Sequence, residues 1–168
     1  MLNFHSSGLG LRPARASDQA FLEALYRSAR PELQLIDGEQ DLIETIVQQQ
    51  FQVQAAGLGE QFPDAQHYVI ERIDTRIGEL VFVAGVGEIR LLYLAFLPEA
   101  RGLGFGSTII RGLQQAAEQA GCALTTVVWA SNQGARRQYL QLGFEVQQRD
   151  IAAERLVWWP EALRPPLS

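Results

Sequence analysis

The sequence feature that most constrains the fold is a glycine-rich segment, residues 98–107, which reads Pro-Glu-Ala-Arg-Gly-Leu-Gly-Phe-Gly-Ser. A β-rich run, 88–97, precedes it, and an amphipathic segment, 107–120, follows it. Glycines let the backbone approach a ligand closely, and the first N–H groups of a helix attract an anion. The segment therefore predicts a strand, a loop and a helix that together cradle a pyrophosphate, although the same glycines could serve a tight turn alone.

Hydrophobic periodicity predicts the remaining elements around this unit. A strand and two helices come first, and the second helix is predicted to stop at the glycines of 57–59. Three β-rich runs then predict an antiparallel meander, with a turn at Asp74-Thr75. The predicted segments are strand 9–15, helices from Ser17-Asp18 and over 42–51, strands 67–74, 77–84 and 88–97, helix 107–120, strand 123–130, helix 132–142, strands 144–150 and 155–159, and an irregular tail 160–168.

This order, β-α-α-β-β-β-α-β-α-β-β, predicts an α/β (α+β) fold with a mixed, mostly antiparallel central sheet flanked by helices. The length of 168 residues predicts a single domain over 1–168.

Composition and charge exclude several classes of protein. The net charge of -5 argues against a nucleic-acid partner. No apolar run approaches the ~18 residues of a membrane span, and residues 1–10 lack a basic region followed by a long apolar stretch. Cys122 is the single cysteine, and His5 and His67 form no metal-ligand cluster. We therefore expect a cytoplasmic protein with no metal, no nucleic acid and no membrane partner.

Two common anion-binding loops do not fit residues 98–107. A P-loop needs a lysine after its last glycine, where this chain has Ser107. A dinucleotide-binding fingerprint needs its third glycine at the same position, and the next predicted strand ends without a ribose-binding carboxylate. The pattern that remains is Arg/Gln-x-x-Gly-x-Gly/Ala, which Arg101, Gly104 and Gly106 satisfy.

A second pattern lies downstream, Asn-x-x-Ala-x-x-x-Tyr-x-x-x-Gly-Phe, which runs from Asn132 through Tyr139 to Phe144. Asn132 and Tyr139 fall about two helical turns apart on one face, so they can touch the same ligand. Each also has a structural interpretation, as a helix cap and as a core aromatic. Together the two patterns resemble the GCN5-related N-acetyltransferase (GNAT) superfamily over nearly the whole chain, most weakly in 31–66.

The resemblance implies a GNAT fold and an acetyl-CoA-dependent N-acetyltransferase. Such an enzyme moves an acetyl group by direct attack of a primary amine, here of a small molecule or a protein. A homodimer is also compatible with the resemblance. The residues it implies for coenzyme binding are Phe96, through its backbone, Arg101, Gly102, Leu103, Gly104, Phe105, Gly106, Ser107, Asn132 and Arg136.

Tyr139 is the residue that the resemblance implies as the proton donor to the leaving thiolate. The general base is less defined, because Tyr93 stands where related sequences often have an acidic residue. Two-residue alternation would place Glu88 and Phe96 on one face of their strand, which makes Glu88 the candidate base. Glu88 could equally be a solvent-facing carboxylate at a hairpin, so a non-catalytic acyl-CoA-binding module of the same fold stays open as the alternative.

Overall fold

A computed structural model describes residues 8–29 and 40–166. Their elements follow the predicted order β-α-α-β-β-β-α-β-α-β-β. The strands are β1 (Leu9–Pro13), β2 (Gln66–Arg72), β3 (Thr75–Gly85), β4 (Glu88–Phe96), β5 (Ala123–Trp129), β6 (Glu145–Arg149) and β7 (Ala153–Trp158), and the helices are α1 (Gln19–Ala29), α2 (Gln40–Gln61), α3 (Phe105–Ala120) and α4 (Gln133–Gln141).

The strands form one seven-stranded sheet in the order β1-β2-β3-β4-β5-β7-β6. Every neighbouring pair is antiparallel except β4 and β5, which are parallel and connected through α3. The predicted α/β fold with a mixed, mostly antiparallel sheet is therefore confirmed.

Helices cover both faces of this sheet. The main core contains Leu80 of β3 together with Ile109 and Leu113 of α3, so α3 packs on the face to which Leu80 points. Val81 is also fully buried, although the next residue along a strand points to the opposite face. Helix α1 contacts β3 and β4 and covers that second face.

The second helix is longer than predicted, because α2 continues through Gly57 and Gly59 to Gln61. The prediction that these glycines end the helix is wrong. A glycine inside a helix is less favourable than alanine by about 1 kcal/mol, which weakens a helix without breaking it. The turn after β2 also lies one residue earlier than predicted, since Ile73 and Asp74 take the positive φ angles of 51° and 60°.

Asp18 anchors the start of α1 to the sheet. Its buried carboxylate accepts hydrogen bonds from Arg12 at 2.8 Å, from the Arg15 N–H at 2.8 Å and from Arg76 at 3.2 Å. The Arg12 guanidinium holds the pKa of Asp18 well below its usual range. The predicted helix cap is thus also a buried ion cluster that fixes α1 against β1 and β3.

Strand β4 carries an irregularity that reverses its two faces. Val81 of β3 is opposite Tyr93, whereas the next residue, Phe82, is opposite Leu91, so Leu92 is an extra residue without a partner. One extra residue shifts the alternation of every side chain beyond it. The prediction that Glu88 and Phe96 share one face is therefore wrong.

Candidate active site

A gap opens between β4 and β5 beyond their paired ends. The parallel pairing runs from Glu88 and Ala123 to Leu91 and Thr126 and goes no further. Beyond this point β4 continues to Phe96, while β5 continues along β7. The Thr126 hydroxyl donates to the Leu91 carbonyl at 3.1 Å and closes the apex of the gap. On its β5 side, the backbone edge of β4 beyond Leu91 is thus left without a paired strand.

The backbone of Phe96 faces this gap. The Leu97 N–H donates to the Ile77 carbonyl of β3 at 2.8 Å. Because successive residues of an antiparallel strand direct their N–H and C=O groups to opposite sides, those of Phe96 point away from β3. An edge of this kind can take up an extended ligand as an added strand.

The glycine loop after β4 leaves the start of α3 without a side-chain cap. Gly102 and Gly104 have φ angles of 74° and 85°, which side chains other than glycine rarely adopt. Gly104 is the N-cap residue of α3 and has no side chain to accept a hydrogen bond. The N–H groups of the first turn of α3 also lack carbonyl partners within the helix, so they are available to an anion. The glycines thus form the turn and leave the start of α3 open to an anion.

Arg101 holds this loop in place. Its Nε donates to the Phe96 carbonyl at 2.9 Å, and its Nη2 donates to the carbonyl of Ser28 at 3.1 Å. Ser28 is in α1, so the guanidinium joins the end of β4 to the helix on the other face of the sheet. Sequence reasoning named Arg101 but did not foresee this contact.

Tyr139 lies at the apex of the gap. The side chain is buried, its ring centroid lies 5.2 Å from that of Phe144 in an edge-on arrangement, and its phenol is close to Thr126, whose hydroxyl closes the apex. Burial raises the pKa of Tyr139, so the phenol keeps its proton at neutral pH. The structure thus brings a protonated hydroxyl to the point where β4 and β5 separate.

Two other residues of the second pattern have partners within the protein. The Asn132 side chain accepts from the Ala135 N–H at 3.2 Å and caps α4. Arg136 pairs with Glu154, which also accepts from Arg149 at 2.7 Å. The contacts of Asn132 and Arg136 with a coenzyme stay predictions, and that of Arg136 competes with an existing ion pair.

Glu88 lies at the opposite end of β4 from Phe96. Its carboxylate pairs with Arg155 at 2.7 Å and accepts from the Thr125 hydroxyl at 3.2 Å. The structure does not bring Glu88 together with Tyr139 and Phe96. Its surroundings are those of a structural ion pair.

Glu79 of β3 was passed over by sequence reasoning. The side chain is mostly buried, and it makes no hydrogen bond or ion pair with any residue of the described ranges. Burial raises the pKa of Glu79 to about 7. One signal was present in the sequence, because Glu79 is the only charged residue of the otherwise apolar stretch 77–85.

The described residues hold no group of three or more His, Cys, Asp or Glu side chains that could bind a metal ion. Within the same part of the chain, no helix has the length and apolar character needed to cross a membrane.

Residues 63–146, half of the chain, match the family model described as Acetyltransferase (GNAT) domain. No curated protein sequence matches the chain. Several hundred solved chains are structurally similar.

Three of these solved structures illustrate the likeness. The PaiA N-acetyltransferase from Thermoplasma acidophilum in complex with coenzyme A has a TM-score of 0.65 at 16% identity, over 89% of this chain and 97% of its own. An acetyltransferase from Thermus thermophilus has a TM-score of 0.65 at 21% identity, over 89% and 96%. A mutant spermidine/spermine N-acetyltransferase SpeG from Vibrio cholerae has a TM-score of 0.62 at 18% identity, over 90% and 94%.

At these identities the structural likeness shows the fold, and the family model carries the assignment. The open edge at Phe96 and the uncapped start of α3 suit an extended thioester ligand with a pyrophosphate. The chain therefore belongs to the GNAT acetyltransferase family and is a GNAT-type N-acetyltransferase.

Proposed function

We propose that this protein transfers the acetyl group of acetyl-CoA directly to a primary amine of a small molecule or of a protein. The observation that carries the proposal is the gap between β4 and β5, into which the backbone groups of Phe96 point. Acetyl-CoA supplies an activated thioester carbonyl and a thiol leaving group. The edge of β4 at Phe96 suits the amide groups of its pantetheine arm.

The loop and the start of α3 are proposed to hold the pyrophosphate. Backbone N–H groups that are fixed in place act as preorganised positive charge, which a protein of net charge -5 needs locally. Gln138 strengthens this arrangement, because its side chain donates to the Ser107 hydroxyl at 3.1 Å and ties α4 to α3. The residues proposed for this role are Arg101, Gly102, Leu103, Gly104, Phe105, Gly106 and Ser107.

Tyr139 and the Phe96 N–H are proposed to act on the reacting groups. The Tyr139 hydroxyl keeps its proton at neutral pH and lies at the apex of the gap, so it can donate to a sulfur bound there. The Phe96 N–H points into the same gap and can stabilise negative charge on the acetyl oxygen. The Tyr139 side chain is buried, and Phe96 belongs to a strand that is hydrogen-bonded to β3, which fixes the direction of both groups.

Direct attack is favoured over a covalent acyl-enzyme by the position of Cys122. This thiol precedes β5 at the end where Ala123 pairs with Glu88, away from Phe96. Burial raises the pKa of the Cys122 thiol, which lowers its thiolate fraction and its reactivity. The amine of the acceptor is therefore the proposed nucleophile.

Calorimetric titration with acetyl-CoA, followed by a thiol-release assay, tests the proposal. The acceptors are spermidine, a lysine-containing peptide and a peptide with a free N-terminus. We expect saturable binding and release of thiol that depends on one of these amines. Binding without release for any amine would support the acyl-CoA-binding alternative, and absence of binding would refute both.

A further inference from the structure

We infer that Glu79 is the general base that takes the proton from the acceptor amine, reaching it directly or through one water molecule. This inference rests on the proposed function. It replaces Glu88 in the role of base.

The sheet register places Glu79 beside the gap. Glu79 is opposite Val69 of β2 on one side and Ala95 of β4 on the other. Cβ atoms of directly opposite residues lie about 5 Å apart. Ala95 immediately precedes Phe96, so Glu79 is one strand away from the backbone groups that face the gap.

A small residue separates Glu79 from the gap. Ala95 is directly opposite Glu79 on β4, and its side chain is a single methyl group. At the neighbouring Gly78, a Cβ atom would lie 2.4 Å from the Ala95 carbonyl oxygen, so a side chain there would displace the backbone beside Ala95.

Glu79 also lies on the correct face of the sheet. Leu80 points to the α3 side, where the glycine loop begins the helix, so Glu79 points to the α1 side. A donor held at the start of α3 leaves the α1 side for the second substrate. An amine that enters from there meets Glu79 before it reaches the gap.

Within residues 8–29 and 40–166, no cation on this face pairs with Glu79. On β2 the pKa of His67 is lowered by burial, so its imidazole is uncharged at neutral pH. Arg12 and Arg76 both bind Asp18, and Arg101 donates to backbone carbonyls. Arg90 of β4 lies over the Phe62 ring. The other titratable groups on the packed elements are Tyr68, Glu71 and Arg72 on β2, Glu88 and Tyr93 on β4, and Glu23, Tyr26 and Arg27 on α1. Glu23 and Arg27 line a groove between α1 and α2.

Burial raises the pKa of Glu79 to about 7, because no paired cation offsets the cost of desolvating its carboxylate. A base whose pKa lies close to the working pH is both ionised and able to hold a proton. Glu88, by contrast, has Arg155 at 2.7 Å as a competing partner.

The proposed step balances in protons and electrons. The Glu79 carboxylate takes one proton from the acceptor ammonium, which frees a lone pair on the nitrogen. That lone pair forms the C–N bond as the C–S bond breaks and its electrons go to sulfur. Tyr139 gives its proton to sulfur and regains one from the nitrogen, and Glu79 returns its proton to solvent.

The experiment compares Glu79→Gln, which keeps the shape and removes the base, with Glu118→Gln on the exposed face of α3. We expect Glu79→Gln to lower kcat/KM by ~10²–10⁴-fold and to remove the rise of kcat/KM with pH near about 7. Its affinity for acetyl-CoA should be unchanged, as should its melting temperature to within a few degrees. Glu118→Gln should match the wild type in every measurement.

A second readout does not depend on turnover. In ¹³C-carboxyl NMR of glutamate-labelled protein without substrates, the resonance missing from Glu79→Gln should titrate near about 7. A resonance that titrates at the ordinary glutamate value would overturn the inference.

Two kinetic results would also overturn it: wild-type pH dependence in Glu79→Gln, or loss of the pH-dependent limb in Glu88→Gln instead. In either case acetyl-CoA turnover by the wild type leaves the proposed function standing. A wild type that does not bind acetyl-CoA removes the proposed function and this inference together.

Discussion

Two glutamates lie at opposite ends of β4 in contrasting surroundings: Glu88 within β4, and Glu79 on the neighbouring strand β3. At the Glu88 end the strand is paired with β5, and the carboxylate has Arg155 and Thr125 as partners. At the Phe96 end the pairing with β5 has stopped, and the nearby Glu79 has no partner among the described residues. A carboxylate with matched partners stabilises the fold, whereas a desolvated and unmatched one is available for chemistry. The end of a strand that leaves its neighbour is thus where a reactive group can be kept.

The sharpest test of the Phe96 end is Tyr139→Phe, which removes one hydroxyl and keeps the ring. We expect kcat to fall by ~10²–10⁴-fold while acetyl-CoA affinity is preserved, because the proton donor is lost and the packing is not. A thiol-release assay measures kcat, and calorimetric titration measures the affinity for acetyl-CoA. The matched control is Tyr68→Phe, because the Tyr68 hydroxyl donates to the exposed Gln66 side chain at 2.9 Å.

Leaving-group chemistry refines this test. A thioester whose thiol has a lower pKa needs less proton donation, so the ratio of wild-type to Tyr139→Phe rates should narrow on such a substrate. A ratio that does not change with the thiol would show that Tyr139 acts in another way.

Asp18, like Glu88, is a carboxylate paired with arginine, but it is fully buried. Asp18→Asn should lower the free energy of unfolding by about 3 kcal/mol near neutral pH, because the buried side chain loses its charge-assisted hydrogen bonds from Arg12 and Arg76. The pKa of Asp18 is lowered in the folded state, so its contribution is present above the ordinary value of 3.8 and is lost as pH falls below it. Urea unfolding at about pH 7 and about pH 3 measures both. A difference that persists unchanged in acid would contradict the assignment.

Two glycines with similar backbone angles, one near each end of β4, allow the effect of backbone strain to be distinguished from an effect on ligand binding. Gly104 has φ 85° in the loop after Phe96, and Gly87 has φ 75° just before Glu88. Alanine at either position should reduce stability by about 1 kcal/mol, because the left-handed region disfavours a side chain. Only Gly104→Ala should also lower the affinity for acetyl-CoA, by roughly tenfold. Equal affinities for the two variants would leave the loop as a turn without a ligand.

The smallest expected effect comes from Glu88→Gln. Loss of the pair with Arg155 should reduce the free energy of unfolding by about 0.5 kcal/mol, since both side chains are partly exposed. The difference from the wild type should shrink in high salt, and thermal melting at two salt concentrations measures it. A variant that lost acetyl-CoA affinity instead would place Glu88 in the site after all.

Local sequence patterns predicted the parts of the site that depend on local geometry. The glycine loop, the start of α3 and the cap at Asn132 follow from residues close together in the chain. The extra residue Leu92 in β4 could not be foreseen in this way, because it is defined by the register with β3.

The same reason limits what the sequence says about charged residues. Alternation along one strand made Glu88 the candidate base, and the family resemblance implied Arg136 as a contact of the coenzyme. Their partners, Arg155 and Glu154, lie in β7, which is distant in the sequence. Glu79 was missed because its surroundings are contributed by β2 and β4 on either side of it.

The contacts of Arg101 have a consequence for how the sequence of this protein can vary. Its guanidinium reaches the carbonyl groups of Phe96 and Ser28, which every residue type possesses. The connection between the glycine loop and α1 therefore depends on one side chain and on two stretches of main chain. Residues 28 and 96 can change identity without breaking that connection, so aligned sequences would show no correlated change between them. A library that redesigns the end of α1 for a new acceptor could therefore keep the coupling to the loop by leaving Arg101 alone.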